Sequence, residues 1–509
     1  MTAQTESQIP PHTLRAAVKY GRMNRRAWMV TGMLVIFQII NFADKAVLGL
    51  VADSAMRDLG LTAGQFGFIG SAFFFLFAAA AVAVGFLAGK VPTRWILLTM
   101  GISWAVLQFP MLFGGGAAVL LVTRILLGAA EGPATPIALQ HVHGWFPAKE
   151  RGLPSSLVAI GSTVGPIIAA PVLAWIIANP ALGWRWAFGF LGIVGLLWSL
   201  GWLLIGRDGP FSHTRRDDPE AQAERAHAEQ QAAARTAPVP VVPAASASDG
   251  EAPSAPAAER AGAGSTGSIA DRSDLLQLVP IRRVLGSRMF IAAALAGAGC
   301  FWAQGFLTTW SPKYLASVMQ LSPEMVGLFS TFPWILGALT LLVLGYTSRF
   351  LMRRGVTVRW ALAALFGAAL LCSGLCFLML PRVDGYLAVV FLTLGAGLAM
   401  IYPLAPTAVA FCVGSKQRAA VMATLTGLAS FGGVVAPAMV GKLMDRAGYV
   451  PAPKGVPETA EMAARLSEGM NTGFWMIGVY LLVVGAISIL MLNPDRTASR
   501  LQEKFVYNG

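Results

Sequence analysis

Residues 66–88 read FGFIGSAFFFLFAAAAVAVGFLA, a run without one ionisable side chain. At about 1.5 Å of rise per residue, a helix of this length spans the roughly 30 Å hydrocarbon core of a bilayer. Soluble core helices are rarely so uniformly apolar. Charge-free runs recur from Trp28 to Phe42 and from Trp475 to Leu492, and apolar residues make up 56% of 509 positions. Charged residues account for only 12%, about half the ~25% usual in soluble domains. The chain therefore reads as a polytopic membrane protein. Its spans are predicted near 27–51, 66–88, 94–112, 117–140, 153–178, 185–206, 289–312, 325–347, 360–380, 385–411, 420–443 and 472–493.

Short polar clusters separate most spans. The long exception follows the sixth, where roughly Ala221 to Ser268 is rich in Ala, Pro, Ser, Glu and Gln and poor in aromatics. Such a composition buries too little apolar surface to offset the entropy of ordering. The expected organisation is a cytoplasmic N-terminal segment (1–26), a six-helix bundle (27–206), a largely disordered cytoplasmic linker (207–288), a second six-helix bundle (289–493) and a cytoplasmic C-terminal tail (494–509).

The net charge of +13 has a topological meaning, because basic residues sit at the ends of apolar runs and in alternate loops. Arg15, Lys19, Arg22, Arg25 and Arg26 precede the first span; Lys90 with Arg94, Lys149 with Arg151, Arg349 with Arg353, Arg354 and Arg359, and Lys416 with Arg418 follow in alternate loops. The excess of Lys and Arg on one side predicts that both termini face the cytoplasm of a cell inner or plasma membrane. No nucleic-acid partner is expected.

The two halves resemble each other. Gly85 precedes Arg94 by nine positions after the second span, and Gly345 precedes Arg354 by nine after the eighth. The fifth and eleventh spans open on Arg151-Gly and Arg418-Ala, and Gly165 and Gly432 follow fourteen residues later. A twofold repeat of six spans predicts an all-α architecture of two pseudo-symmetric six-helix bundles, with a site between them near the midplane.

Several classes are set aside. Cys300, Cys372, Cys376 and Cys412 lie in apolar segments without disulfide or zinc spacing, and His141 and His143 point to different helix faces. No nucleotide-binding motif and no nucleophile–base pair is legible, so neither a cofactor, a metal nor an enzymatic activity is expected. The first span is too long for a signal peptide and lacks a cleavage site.

Ionisable residues inside spans carry the function. Each charge at a helix centre costs about 2.5–3.5 kcal/mol on insertion scales, so such a residue is paired, cavity-facing and functional by default. The first span holds Asp44 and Lys45; the fourth holds Arg124 and Glu131, seven residues apart and on one face. Counting rise from either end places Asp44 and Arg124 at similar depth, which predicts an Asp44–Arg124 ion pair. Fully ionised, the four groups sum to zero. Protonation of both acids leaves Lys45 and Arg124 as a doubly positive cavity suited to an anion, so proton and anion binding favour one another. A closed brace between helices is the competing reading.

The stretch Arg124-Ile-Leu-Leu-Gly-Ala-Ala-Glu131-Gly132, with Asn41-Phe-Ala-Asp44-Lys45, resembles the anion:cation symporter family of the major facilitator superfamily. Trp145-Phe-Pro-Ala-Lys-Glu-Arg151 and Arg185-Trp-Ala-Phe are similar to further family segments. The resemblance implies the major facilitator fold and transport of an organic anion with protons, without a cofactor. It also implies Asp44 and Glu131 as coupling acids, Arg124 as partner of Asp44, and Lys45 as the cation for the substrate carboxylate.

Departures from the family pattern bear on the substrate. Lys45 stands where Arg is common, Phe42 and Phe77 where Tyr is common, and Thr426 and Ser430 where Asn is frequent. Fewer polar groups disfavour a many-hydroxyl sugar acid and suit a more apolar or aromatic carboxylate. The superfamily loop lacks its usual Asp in both halves, with Gly89 and Arg349 instead. Across the site, Gln304, Thr308 and Trp310 in the seventh span and Tyr402 and Thr407 in the tenth are polar groups in apolar surroundings; Tyr402 sits where the family often lines the cavity with Trp. Expected substrate-binding residues are thus Lys45, Phe42, Phe77, Gln304, Tyr402, Thr426 and Ser430. The expected function is import of a small carboxylate coupled to protons by a monomer in the bilayer. The alternatives are a proton-coupled drug or metabolite exporter, sodium or exchange coupling, and a transporter-like membrane sensor.

Overall fold

In a computed structural model of the protein, residues 11–147, 150–212, 222–223, 225–226, 229, 279–413, 417–453 and 455–503 are described. Most of the expected linker interior lies outside them, as do Lys149 and Lys416. Twelve helices are long and apolar enough to cross a membrane. Spans 1–6 are Arg25–Leu50, Ala63–Leu87, Thr93–Leu112, Ala117–His143, Gly152–Ala178 and Arg185–Ile205. Spans 7–12 are Arg288–Thr309, Pro323–Arg353, Arg359–Arg382, Gly385–Ala410, Ala420–Arg446 and Ala460–Met491. No strand occurs among the described residues. With an even number of crossings, the start of span 1 and the end of span 12 share one side, here the terminal face; the other is the distal face.

Pairing of helices repeats between the halves. Span 1 packs on span 5 and span 3 on span 6; in the second bundle span 7 packs on span 11 and span 9 on span 12. Between bundles, span 2 meets span 11 and span 5 meets span 8, again related pairs, while span 1 meets span 7. Small residues permit the close approach. A side chain on Gly441 of span 11 would strike the Ala63 carbonyl of span 2, and one on Gly67 would strike the Pro437 carbonyl.

Five spans are broken among the described residues, spans 2, 8 and 11 of the interface included. Span 2 opens into turns at 73–76, span 4 at Gly132-Pro133, span 8 at 330–331, span 10 at 400–403 and span 11 at Ser430. Proline lacks an N–H and clashes with the preceding turn, which accounts for the breaks beside Pro133 and Pro403. Irregular backbone at membrane depth is tolerated where it is buried in protein or lines a cavity.

Three boundaries differ from the sequence reading. Span 12 begins at Ala460, twelve residues earlier than expected, because Thr459 caps it (the Met462 N–H donates to the Thr459 hydroxyl at 3.3 Å) and the polar segment after it continues as helix beyond the apolar run. The near ends of the expected linker are docked. The Phe211 N–H donates to the Gly144 carbonyl at 2.8 Å, Trp145 Nε1 donates to the Arg207 carbonyl at 3.0 Å, and Gln417 Nε2 donates to the Val279 carbonyl at 3.0 Å. The tail likewise forms a helix, Pro494–Gln502, with the Cys412 thiol against the Pro494 carbonyl at 3.1 Å.

The hydrogen bonds found between the bundles gather toward the distal face. Lys313 Nζ, 2% exposed as a residue, donates to Asp53 Oδ1 at 2.5 Å and to Glu458 Oε1 at 2.6 Å. The Tyr449 hydroxyl donates to the same Glu458 oxygen at 2.6 Å, and Arg57 Nη1 donates to the Val456 carbonyl at 2.7 Å. Asp445 Oδ2 accepts from the Thr62 hydroxyl and from the Gly64 N–H, both at 2.9 Å, so a carboxylate of the second bundle caps span 2 of the first. A carboxylate at a helix N-terminus satisfies free N–H groups and meets the positive end of the dipole.

Candidate functional site

The site is built from span 1 outward. Asn41 and Lys45 are four residues apart, one turn of one face. Lys45 Nζ donates to Asn41 Oδ1 at 2.8 Å and to the Asn41 carbonyl at 3.2 Å. Its third donor goes across to span 4, where Glu131 Oε2 accepts at 2.5 Å. The Glu131 side chain is fully buried and that of Lys45 is 10% exposed. Spans 2 and 4 approach closely here: a side chain on Gly128 would meet the Phe73 carbonyl, and one on Gly132 the Phe77 carbonyl.

The predicted pairing is corrected by the geometry. Asp44 and Arg124 do lie within electrostatic reach of one another. Arg124 Nη1, however, donates to the main-chain carbonyl of Asp44 at 3.4 Å, and the ion pair that forms is Lys45–Glu131. Successive helical residues point about 100° apart. Asp44 therefore turns into the first bundle beside Gln108 while Lys45 turns elsewhere. Arg124 also lies over the Phe188 ring, 5.3 Å from its centre.

Several buried polar atoms in this cluster have no hydrogen-bond partner: Asp44 Oδ1, Glu131 Oε1, Arg124 Nε, Asn41 Nδ2 and Gln108 Nε2. Groups orphaned in low dielectric are costly and mark sites where a proton or ligand completes the network.

Aromatic rings surround the ammonium. Lys45 Nζ lies 4.3 Å from the centre of the Phe42 ring and 5.7 Å from that of Phe73. Phe42 meets Trp334 of span 8 edge-on at 6.1 Å, bridging the bundles. Phe73 touches Phe77 at 5.7 Å and Phe74 at 5.1 Å; Phe74 meets Phe301 of span 7 at 6.3 Å, and Phe301 meets Tyr402 of span 10 at 5.1 Å. Sequence reasoning named Phe42, Phe77 and Tyr402 but missed Phe73, Phe74, Phe301 and Trp334, which carry no polar signal in an apolar run.

The remaining expected residues are occupied locally. The Tyr402 hydroxyl donates to Thr426 Oγ1 at 2.9 Å. The Ser430 hydroxyl donates to its own helix at the Gly427 carbonyl, 2.8 Å away, and Thr308 does likewise at the Gln304 carbonyl, 2.9 Å. Gln304 is half-buried in span 7. The two histidines do not converge: His141 Nδ1 pairs with the Thr93 hydroxyl and His143 Nε2 with the Ser155 hydroxyl, each at 2.8 Å. Near the loop that lacks the superfamily Asp, Asp208 Oδ1 accepts from the Arg94 N–H at 3.4 Å and from the Thr93 hydroxyl at 3.3 Å.

Comparison with known proteins identifies the family and the fold. The sequence model of the Major Facilitator Superfamily matches residues 34–392. The chain is 25% identical over 484 residues to a probable sulfoacetate transporter of Cupriavidus necator, covering 94% of this chain and 96% of that one. It is 23% identical to a hexuronate transporter of Bacillus subtilis, covering 82% and 87%. Among solved structures, a bacterial homologue of the human lysosomal transporter Spinster superposes with a TM-score of 0.68 at 16% identity, covering 93% of this chain and 97% of that one. A D-xylose–proton symporter gives 0.60 at 12% identity, covering 91% and 97%. This chain is a membrane transporter of the Major Facilitator Superfamily, and its resemblance is to that superfamily's anion:cation symporters.

Proposed function

We propose that this protein imports a small organic anion together with protons, working as a monomer in the cell inner or plasma membrane with the terminal face in the cytoplasm. The observation that carries the reading is the Lys45–Glu131 ion pair, held beside the breaks in spans 2 and 4 and ringed by aromatics. The orientation rests on the basic loops of the terminal face.

Coupling follows from competition for one ammonium. While Glu131 is ionised it occupies Lys45, and an incoming carboxylate meets a neutral pair. A proton on Glu131 frees Lys45 Nζ, and Asn41 Nδ2, buried and without a partner beside it, supplies a second donor for the substrate carboxylate. On release the proton leaves and Glu131 re-forms its pair, expelling the anion. Asp44 acts from behind through charge, setting with Arg124 the field in which this exchange occurs. Relatives are named as transporters of D-galactonate and hexuronate and as probable transporters of sulfoacetate and of galactarate or D-glucarate, all anions.

Proteoliposomes with an imposed pH gradient test the reading. The wild type accumulates a transported carboxylate, whereas Asp44→Asn loses gradient-driven accumulation and keeps exchange of internal for external substrate. Wild-type accumulation by that variant would falsify the coupling role.

A further inference from the structure

Resting on the anion-transport reading, we propose that the substrate is a carboxylate with a flat aromatic or otherwise apolar body and few hydroxyls. The ammonium of Lys45 lies between two sets of touching rings drawn from spans 1, 2, 7, 8 and 10 of both bundles: Phe42 with Trp334, and Phe73 with Phe74, Phe301 and Tyr402. One step toward the distal face, a cavity of about 10 Å³, room for roughly one water, lies between the bundles, lined by Ala46, Leu50, Pro166, Leu307, Ser330 and Trp334 among others. Ala46 is the neighbour of Lys45, and Trp334 is the ring that meets Phe42. The rings beside the ammonium thus run through Phe42 and Trp334 to this cavity, which must widen to admit a ring. Within the cavity Ser330 is buried and its hydroxyl has no partner, which leaves a place for one polar substituent.

Beyond Asn41, Gln304 and Ser330, little free donor capacity is left for a sugar acid. The Tyr402 and Thr426 hydroxyls bond to each other, and those of Ser430 and Thr308 are spent on their own helices. A hydroxyl stripped of water without a partner costs about tenfold or more in affinity. An aldonate or hexuronate carries several such groups. A ring of benzoate type carries none and stacks edge-on or offset against aromatic walls.

The purified full-length protein is titrated at mildly acidic pH with benzoate, 4-hydroxybenzoate, phenylacetate, galactonate, glucuronate and sulfoacetate, by calorimetry and thermal shift. The aromatic carboxylates should bind at least about a hundredfold tighter than the sugar acids, following from two or more unpartnered hydroxyls at about tenfold each. Trp334→Ala should weaken the aromatic ligands by about tenfold or more; Trp334→Phe, which keeps a ring, should restore most of the loss. Tighter binding of galactonate or glucuronate overturns the substrate class and leaves anion transport standing. Tightest binding of sulfoacetate, which has neither ring nor hydroxyl, overturns the aromatic preference alone. Failure of every carboxylate to bind overturns both readings.

Discussion

Replacing Lys313 with Met should release the distal closure. The ammonium of Lys313 comes from the segment after span 7 and joins Asp53, which follows span 1, to Glu458, which precedes span 12. Its side chain is 1% exposed, that of Glu458 12% and that of Asp53 37%. Removing one partner from a buried ion pair costs about 3–5 kcal/mol, because the other charge stays buried and unpaired. The Asp53 half is more than a third exposed and keeps Arg57 Nε at 3.0 Å, so it is discounted, which leaves about 2–3 kcal/mol, mostly from Glu458, whose other cation, Arg57 Nη2, stands at 4.0 Å. When the distal side opens, both carboxylates hydrate and the penalty disappears, so the loss falls on the closed state alone. The equilibrium therefore moves toward the distal-open form by about 30- to 150-fold.

Spin labels at Ala181 and Val450, on distal loops of opposite bundles, measure this by pulsed electron resonance in a background lacking the four cysteines. The variant should show a longer-distance population that the wild type lacks. A distance distribution identical to wild type would show that the triad does not hold the face shut. pH provides an internal control. Burial works against the Glu458 charge, but the Lys313 ammonium and the hydrogen bonds around it outweigh burial and hold the carboxyl below its ordinary value near 4.5. A depressed carboxyl contributes stability above its ordinary pKa and loses it only as pH falls through the folded value. The wild-type distances should therefore stay constant from pH 8 down to pH 5, about where an unperturbed Glu begins to take up protons. The distal latch is then no part of the proton switch.

Other expectations are specific to the site and the packing. Glu131→Gln frees Lys45 permanently, so carboxylate affinity should lose its fall of about tenfold per pH unit on the alkaline limb; a slope unchanged from wild type in equilibrium binding would remove Glu131 from the competition. One proton on Glu131 balances one monovalent substrate at an otherwise neutral site, so uptake of a monocarboxylate should be electroneutral; acceleration by an imposed membrane potential in proteoliposomes would contradict that balance. Gly128→Val drives a side chain into the Phe73 carbonyl where spans 2 and 4 cross, and overpacking of this kind costs about 1–3 kcal/mol; an undiminished melting temperature in detergent would show that the crossing gives way freely.

Much of the fold is legible because a bilayer leaves few solutions. Charge-free runs of about 20 residues must be helices there, and a twofold repeat of six spans with similar loops implies two bundles. Span ends were less legible where helix persists outside the hydrocarbon, since hydropathy marks the lipid boundary and says nothing of a Thr459 cap or a docked Phe211. The broken spans were only partly legible: Gly132-Pro133 and Pro403 announce themselves, whereas the turns at 73–76 interrupt an unbroken apolar run. The distal latch escaped notice for a related reason. Asp53, Lys313 and Glu458 stand outside the spans, where charges are ordinary, and only the fold brings residues 260 and 145 positions apart onto one ammonium.

The site itself was legible in membership and not in wiring. Four charges within two spans identify the cluster, because lipid makes each too costly to keep idle. Depth along two helices cannot choose which acid meets which base, since Asp44 and Lys45 share a depth and differ mainly in direction. A rotation of about 100° decides it. Asp44 faces the interior of its own bundle, while Lys45 faces Glu131 and the rings between the bundles. That division has a chemical consequence. Under the proposed mechanism, a substrate carboxylate that reaches Lys45 would displace Glu131 directly and leave Asp44 untouched, so the two acids would hold different kinds of control: one by contact, the other by the charge it presents to Arg124. Substitution of Glu131 should then alter ligand affinity and its pH dependence together, whereas substitution of Asp44 should leave binding recognisable and break the link between binding and the proton gradient.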